Sequence, residues 1–251
     1  MKVDPGDRER YRCQIAAADL IRTRVVVKET DLLVLSREAI GDLVREIVLT
    51  QRDRLERYIA AHPLFLRSLV PVPVAAHAPA LVRLMSVAGQ AAGVGPMAAV
   101  AGAVCETVAA ALAPSLRKEL LIENGGDLYL ASARERIVGI FAGDGALGRA
   151  IGLRVAPEKN PLGVCTSSGR IGHSLSFGDS AAATVLARSC ALADAAATAV
   201  GNRVRGGNGI REGLAAARDI PGVLGVVVLR DGQLGAWGDV EIVGLQDAVS
   251  R

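Results

Sequence analysis

Leu120-Leu121-Ile122-Glu123-Asn124-Gly125-Gly126-Asp127-Leu128-Tyr129-Leu130 reads as a strand, a tight turn and a second strand. Asn-Gly supplies the positive-φ positions that a short hairpin turn needs. A helix of small residues, 97–113, precedes it. The arrangement then recurs. Residues 190–203 form a second small-residue helix, and 223–230, Asp231-Gly232 and 233–237 form a second hairpin. A short helix over 208–219, ended by Ile220-Pro221-Gly222, separates the two parts of this second copy. Between the copies, 136–142 and 146–155 read as a further hairpin around Gly143-Asp144-Gly145. Duplicated hairpins with helices alongside predict the α+β class with a mainly antiparallel sheet. Turns this short do not leave room for parallel crossovers.

Before the first copy, 11–17, 20–29 and 31–35 carry the apolar and β-branched residues of antiparallel strands, the last two joined by a turn at Glu29-Thr30-Asp31. Ser36 is the expected N-cap of a long helix reaching about Ala61, with Ile40, Leu43, Val44, Ile47 and Val48 at helical spacing. Pro71, Pro73 and Pro79 mark an extended connector. The expected organisation is a single domain over 1–251, with N-terminal strands and a long helix in 1–80 and the duplicated helix–hairpin core in 81–251.

The 251 residues are 51% hydrophobic, 22% charged and 3% aromatic, so the core is built from Ala, Val, Leu and Ile. The net charge of +3 is nearly balanced, and the 25 arginines are scattered. No basic stripe interleaved with aromatics is present, which argues against nucleic acid as a partner. Residues 91–114 are long and apolar but contain Glu106, and read as a buried helix and not a membrane span. The N-terminus shows no apolar signal segment. Cys13, Cys105, Cys165 and Cys190 form no CxxC pair and read as buried or free thiols of a reducing compartment. A cytoplasmic protein is expected.

Four segments could carry chemistry. In Ala193-Asp194-Ala195-Ala196-Ala197-Thr198-Ala199, a carboxylate and a hydroxyl lie four positions apart on one helical face. Two hard oxygen ligands so placed suit Mg²⁺. The plainer alternative is a core helix with one Asp satisfied by a neighbouring N–H. In Asn124-Gly125-Gly126-Asp127, paired glycines let backbone N–H groups approach a ligand. Thr166-Ser167-Ser168-Gly169, followed by Arg170, offers donors and charge to a phosphate. His173 lies just beyond, and an imidazole is the usual proton-transfer group near neutral pH. Cys165 has no sequence neighbour that would activate it as a nucleophile.

Taken in order, these segments resemble the ApbE-like superfamily, which includes the FAD:protein FMN transferases. Its A-D-A-x-A-T-A run is similar to Ala193–Ala199, and its G-G-D turn to Gly125-Gly126-Asp127. Its T-S-G segment resembles Thr166-Ser167-Ser168-Gly169 with one residue extra, and its downstream His resembles His173. The strand leading into its metal helix resembles 181–187. The resemblance covers roughly residues 90–240. It implies a duplicated T-fold-like architecture with small-residue helices packed along the sheet, and FAD bound together with Mg²⁺. Asp194 and Thr198 would hold the metal, with a backbone carbonyl near Val100. The segments Asn124–Asp127 and Thr166–Gly169 would line the ligand cleft, and His173 would be the base. The implied reaction is transfer of FMN to a Ser or Thr of an acceptor protein, or hydrolysis of FAD. The chain departs from the pattern: His173 is followed by Ser174-Leu175-Ser176-Phe177 where the family has H-x-x-D-P, Val100-Ala101-Gly102 stands where it has A-K-G, and the N-terminal third does not match the usual transferase segments.

The reading is thus a divergent ApbE-like protein acting on FAD or a related nucleotide. Its alternatives are a non-catalytic flavin- or nucleotide-binding module, an enzyme of the same scaffold acting on a pterin- or purine-like ring, and a structural homo-oligomer packed through Ala/Gly surfaces.

Overall fold

A computed structural model describes residues 17–141, 151–169 and 178–245. Cys13, the Gly143-Asp144-Gly145 turn, Arg170 and His173 lie outside the described residues, as does nearly all of the strand expected over 11–17.

The chain opens with strands β1 (Ile21–Val27) and β2 (Thr30–Ser36). Three helices follow: α1 (Gly41–Ala61), α2 (Pro63–Arg67) and α3 (Ala80–Ala92). A 3₁₀ turn (Pro96–Ala99) leads into α4 (Val100–Ala111) and the hairpin β3 (Leu120–Asn124) and β4 (Asp127–Ala131). After β5 (Arg136–Gly139) and β6 (Ile151–Val155) come β7 (Leu162–Ser167) and β8 (Ala182–Ala187). The helices α5 (Cys190–Arg203) and α6 (Gly209–Asp219) precede β9 (Val223–Arg230), β10 (Gln233–Gly238) and β11 (Ile242–Gly244).

Eight strands form one sheet in the order β1-β2-β3-β4-β7-β8-β9-β10, each antiparallel to its neighbour. Each half is a hairpin, then helices, then a second hairpin: a duplicated T-fold-like α+β architecture. The helices cover one face. The other carries a small sheet in the order β11-β6-β5. Strand alternation therefore feeds two cores: Leu32, Val34, Leu120 and Ile122 pack under the helices, while Leu33, Leu35, Leu121 and Leu130 pack under the small sheet. This is why β2 is buried along its whole length.

Several boundaries differ from expectation. Ser36 ends β2, and its hydroxyl donates to Glu38 O at 2.6 Å, so it does not cap α1, which starts at Gly41 after Ile40. The first turn is Lys28-Glu29, with Lys28 at φ 52°; Thr30 and Asp31 belong to β2. In the β3–β4 turn, Gly125 and Gly126 take the positive φ (68° and 106°), while Asn124 pairs with Asp127. The helix expected over 91–114 is broken: Gly93 ends α3 in the left-handed region at φ 69°. Thr166 and Ser167 lie in β7, paired with Thr184 and Ala183, and not in a turn. Among the described residues no single helix is long and apolar enough to cross a membrane. The pair α3 and 96–111 has the length and composition together, but bends by 105°.

Candidate functional site

Helix α5 carries the Ala-rich run. Ala191, Ala193, Ala195, Ala196 and Ala197 are buried, and their small side chains let α4 and β7 come close. A Cβ on Gly102 would overlap the Cys190 carbonyl and lie 2.9 Å from Asp194 Cβ, and one on Gly163 would overlap Cys190 Cα. Small residues here thus set the distance between elements, and that distance brings the polar groups together.

Asp194 Oδ2 accepts from Gly102 N–H at 2.9 Å. Burial pushes the Asp194 carboxyl up to about 7, and the Gly102 and Ala101 amides work the other way by favouring the ionised form. The carboxylate of one small-residue helix therefore sits on the first turn of the other, where amide dipoles favour negative charge. The relation is reciprocal. Glu106 of α4 accepts from Ser189 Oγ (2.8 Å) and Ala191 N–H (3.1 Å) at the start of α5. Ser189 in turn caps α5 through Leu192 N–H.

The β3–β4 turn meets this crossing. Asn124 Nδ2 donates to Ala101 O at 3.4 Å. Asp127 is buried, and its carboxyl is pushed well above the usual range, first by burial and then by the Asp194 charge. Gly126 N–H donates to Glu123 Oε1 at 2.9 Å, and Gly126 O accepts from Thr166 N–H at 3.2 Å. Ala101–Gly102, Asn124–Asp127 and Asp194, far apart in sequence, thus converge. Thr198 stands one turn beyond Asp194 on the same face, partly exposed.

The Thr166–Gly169 segment divides. Thr166 Oγ1 pairs with Thr184 Oγ1 at 2.9 Å, in a small cavity with Glu123 and Phe141 on the face away from α5. Ser167 turns toward α5: its hydroxyl and that of Ser180 lie 3.5 and 3.6 Å from where a Gly201 Cβ would stand. Both hydroxyls are buried without a hydrogen-bond partner among the described residues. Gly169 N–H donates to Ser180 O at 3.0 Å, and a Cβ on Gly169 would overlap Gly178 O. Gly178 packs in the same way on Gly201 O, so positions 169 and 178 both reach the end of α5.

Two groups had no local sequence signal. Glu106 is 83 positions from Ser189. Ser180 gains its surroundings only through pairing and packing. The thiols of Cys165 and Cys190 lie 3.7 Å apart, and Cys105 Sγ lies 3.7 Å from Asp127 O. Burial is the first cause raising Cys105 and Cys165, so these are packing thiols. Among the described residues no three His, Cys, Asp or Glu side chains are grouped to hold a metal. A cation at Asp194 would need hydroxyl, carbonyl or phosphate oxygens beside the carboxylate. A carboxylate that accepts one N–H keeps lone pairs for such a role, so the donor chemistry fits Mg²⁺.

A family model described as "AbpE bacteria" matches residues 12–224. The UPF0280 protein MJ1526 of Methanocaldococcus jannaschii is 41% identical over 225 residues, covering 87% of this chain and 91% of that protein. A UPF0280 protein of Methanocella arvoryzae is 38% identical over 212 residues, covering 84% and 86%. Among solved structures, the flavinyl transferase ApbE of Pseudomonas stutzeri aligns with a TM-score of 0.55 at 15% identity, covering 90% of this chain and 94% of that one. The ApbE protein of Thermotoga maritima gives 0.55 at 11% identity, covering 92% and 99%. These two likenesses concern the fold. The family match over most of the length and the extensive identity to the UPF0280 proteins place the chain in the AbpE bacteria family, a divergent branch of the ApbE-like proteins.

Proposed function

We propose that the protein binds FAD, or a closely related nucleotide, together with Mg²⁺ at the crossing of α4 and α5, and acts on its pyrophosphate. The observation that carries this reading is the convergence of Asp194 with the first turn of α4 and the Asn124–Asp127 turn. Asp194 and Thr198 would hold the ion, with a carbonyl near Val100 or Ala101. Bound Mg²⁺ supplies charge neutralisation on the bridging oxygens. The chain's own part is to fix the carboxylate, which the Gly102 amide does. The glycine turn would let the ligand approach the backbone of Gly125 and Gly126. Ser167, Ser168 and Gly169 would line the cleft from the α5 side, while the Thr166 side chain, on the opposite face of the sheet, would not reach it. His173 is the proposed base, taking the proton from an attacking hydroxyl of an acceptor protein or from water.

The test is a titration of the protein with FAD, with and without Mg²⁺, followed by assay for FMN and AMP release. Asp194→Ala should abolish metal-dependent product formation. Asp194→Asn keeps an acceptor for Gly102 N–H, so it should fold normally and still lose the metal dependence. Tight binding without products would indicate a binding module, and absence of flavin affinity would sink the reading.

A further inference from the structure

Among the described residues the eight-stranded sheet ends in two edge strands, β1 and β10, and they are unlike. On β1, Arg22 and Arg24 alternate with Ile21, Thr23 and Val25, and charged side chains are a common guard against strand addition. The other edge, β10, reads Gln-Leu-Gly-Ala-Trp-Gly and carries neither charge nor proline. Among the described residues it pairs only with β9. Gln233, Leu234, Ala236 and Gly238 are exposed. A six-residue edge without such a guard is a template for another strand.

Beside this edge runs a groove of about 590 Å³, open to solvent, between β10 and α6. Ile210 and Leu214 give it an apolar floor, and Asn208 and Gln233 give amide groups. Arg211 is the one charged residue among those lining it. Gly235 leaves the space into which Ile210 and Leu214 lean: a Cβ there would overlap Ile210 Cγ2 and lie 3.2 Å from Leu214 Cδ1.

We propose that β10 and this groove are a docking site for an extended acidic segment of a partner protein, which adds to the sheet as a ninth strand. Main-chain hydrogen bonds along β10 supply affinity, as in other cases of strand addition. Alternate side chains point into the groove, an apolar one onto Ile210 and Leu214 and a carboxylate onto Arg211. A second copy pairing β10 with β10 is the competing occupant, and the test below separates the two. The proposal is independent of the flavin reading.

The test uses the full chain and an octapeptide, Val-Thr-Asp-Thr repeated once, whose alternate residues present valine and aspartate on one face. Trp237 is the single tryptophan and lies on β10 itself, so its emission reports occupancy. The peptide should shift that emission saturably. Arg211→Glu, a surface change, should weaken binding roughly tenfold. The peptide with lysine in place of aspartate should then bind the variant better than the wild type. Three results would overturn the proposal: no effect on Trp237 at millimolar peptide, equal binding by wild type and Arg211→Glu, or sedimentation of the wild type as a dimer that Ala236→Lys dissociates.

Discussion

Gly102 shows how much one missing side chain decides. It faces the Cys190 carbonyl and Asp194, both held by helix α5, so neither can give way as the tip of a flexible side chain would. Gly102→Ala would force α4 and α5 apart. A loss of about 2–3 kcal/mol of stability is expected, at the upper end for an overpacked site. Urea unfolding measures it, and a change within about 0.5 kcal/mol would mean that the helices slide freely. The same substitution moves the amide that fixes Asp194, so it should also weaken any metal-dependent binding. At this scale the sequence was partly legible. The four-residue spacing of Asp194 and Thr198 among alanines marks a special helix face. The N–H partner that the plainer reading expected for Asp194 is present as Gly102. Ser180 was not legible, because its burial against Gly201 arises only when β8 is laid beside α5.

Between elements, the reciprocal caps tie α4 to α5. Glu106 serves both the Ser189 hydroxyl and the Ala191 amide, and so satisfies donors at an end that Ser189 alone would leave half-capped. Glu106→Ala should cost about 1–2 kcal/mol. In a double-mutant cycle with Ser189→Ala the two losses should fall short of additive, since both remove one shared bond; strict additivity would show that the cap contributes nothing jointly. The elements themselves were the most legible level. Helix α5, the short helix α6 and both repeat hairpins follow from small-residue runs, apolar alternation and the turn glycines, although the first turn falls on Gly125-Gly126 and not on Asn124-Gly125. Failures occurred where local chemistry had a competing use. Ser36 spends its hydroxyl on Glu38 O inside a connector, so the helix begins five residues later. The hydroxyl-rich Thr166-Ser167 looks like a turn, yet cross-strand pairing of Thr166 with Thr184 keeps it in β7.

Across the whole molecule, the N-terminal segment, the main sheet and the small sheet meet at Arg136. This buried guanidinium, at the start of β5, binds Asp19 through both terminal nitrogens (2.5 and 3.0 Å) and Glu119 at 3.0 Å, while its Nε donates to Ser132 Oγ. Hydrogen bonding and charge from Arg136 hold the Asp19 carboxyl below its ordinary value. For Glu119, burial alone would raise the carboxyl, but the Ser132 hydroxyl, the Ala133 amide and Arg136 outweigh it, so it too is lowered. Because both folded values lie below the unfolded ones, the stability these groups contribute is complete above the unfolded carboxylate range, and it is lost as pH falls through the folded values. Arg136→Leu reverses the logic for Glu119, which would remain buried without its cation. The expected loss at pH 7 is about 3–5 kcal/mol, that of stranding one partner of a buried pair. The unpaired carboxyl would favour protonation on folding, so the gap between variant and wild type should narrow as the pH is lowered toward about 4. Urea unfolding of both proteins at pH 7 and pH 4.5 measures this. A gap that stays constant between the two would mean that the three-way junction is held by packing, with the ion pairs as passengers.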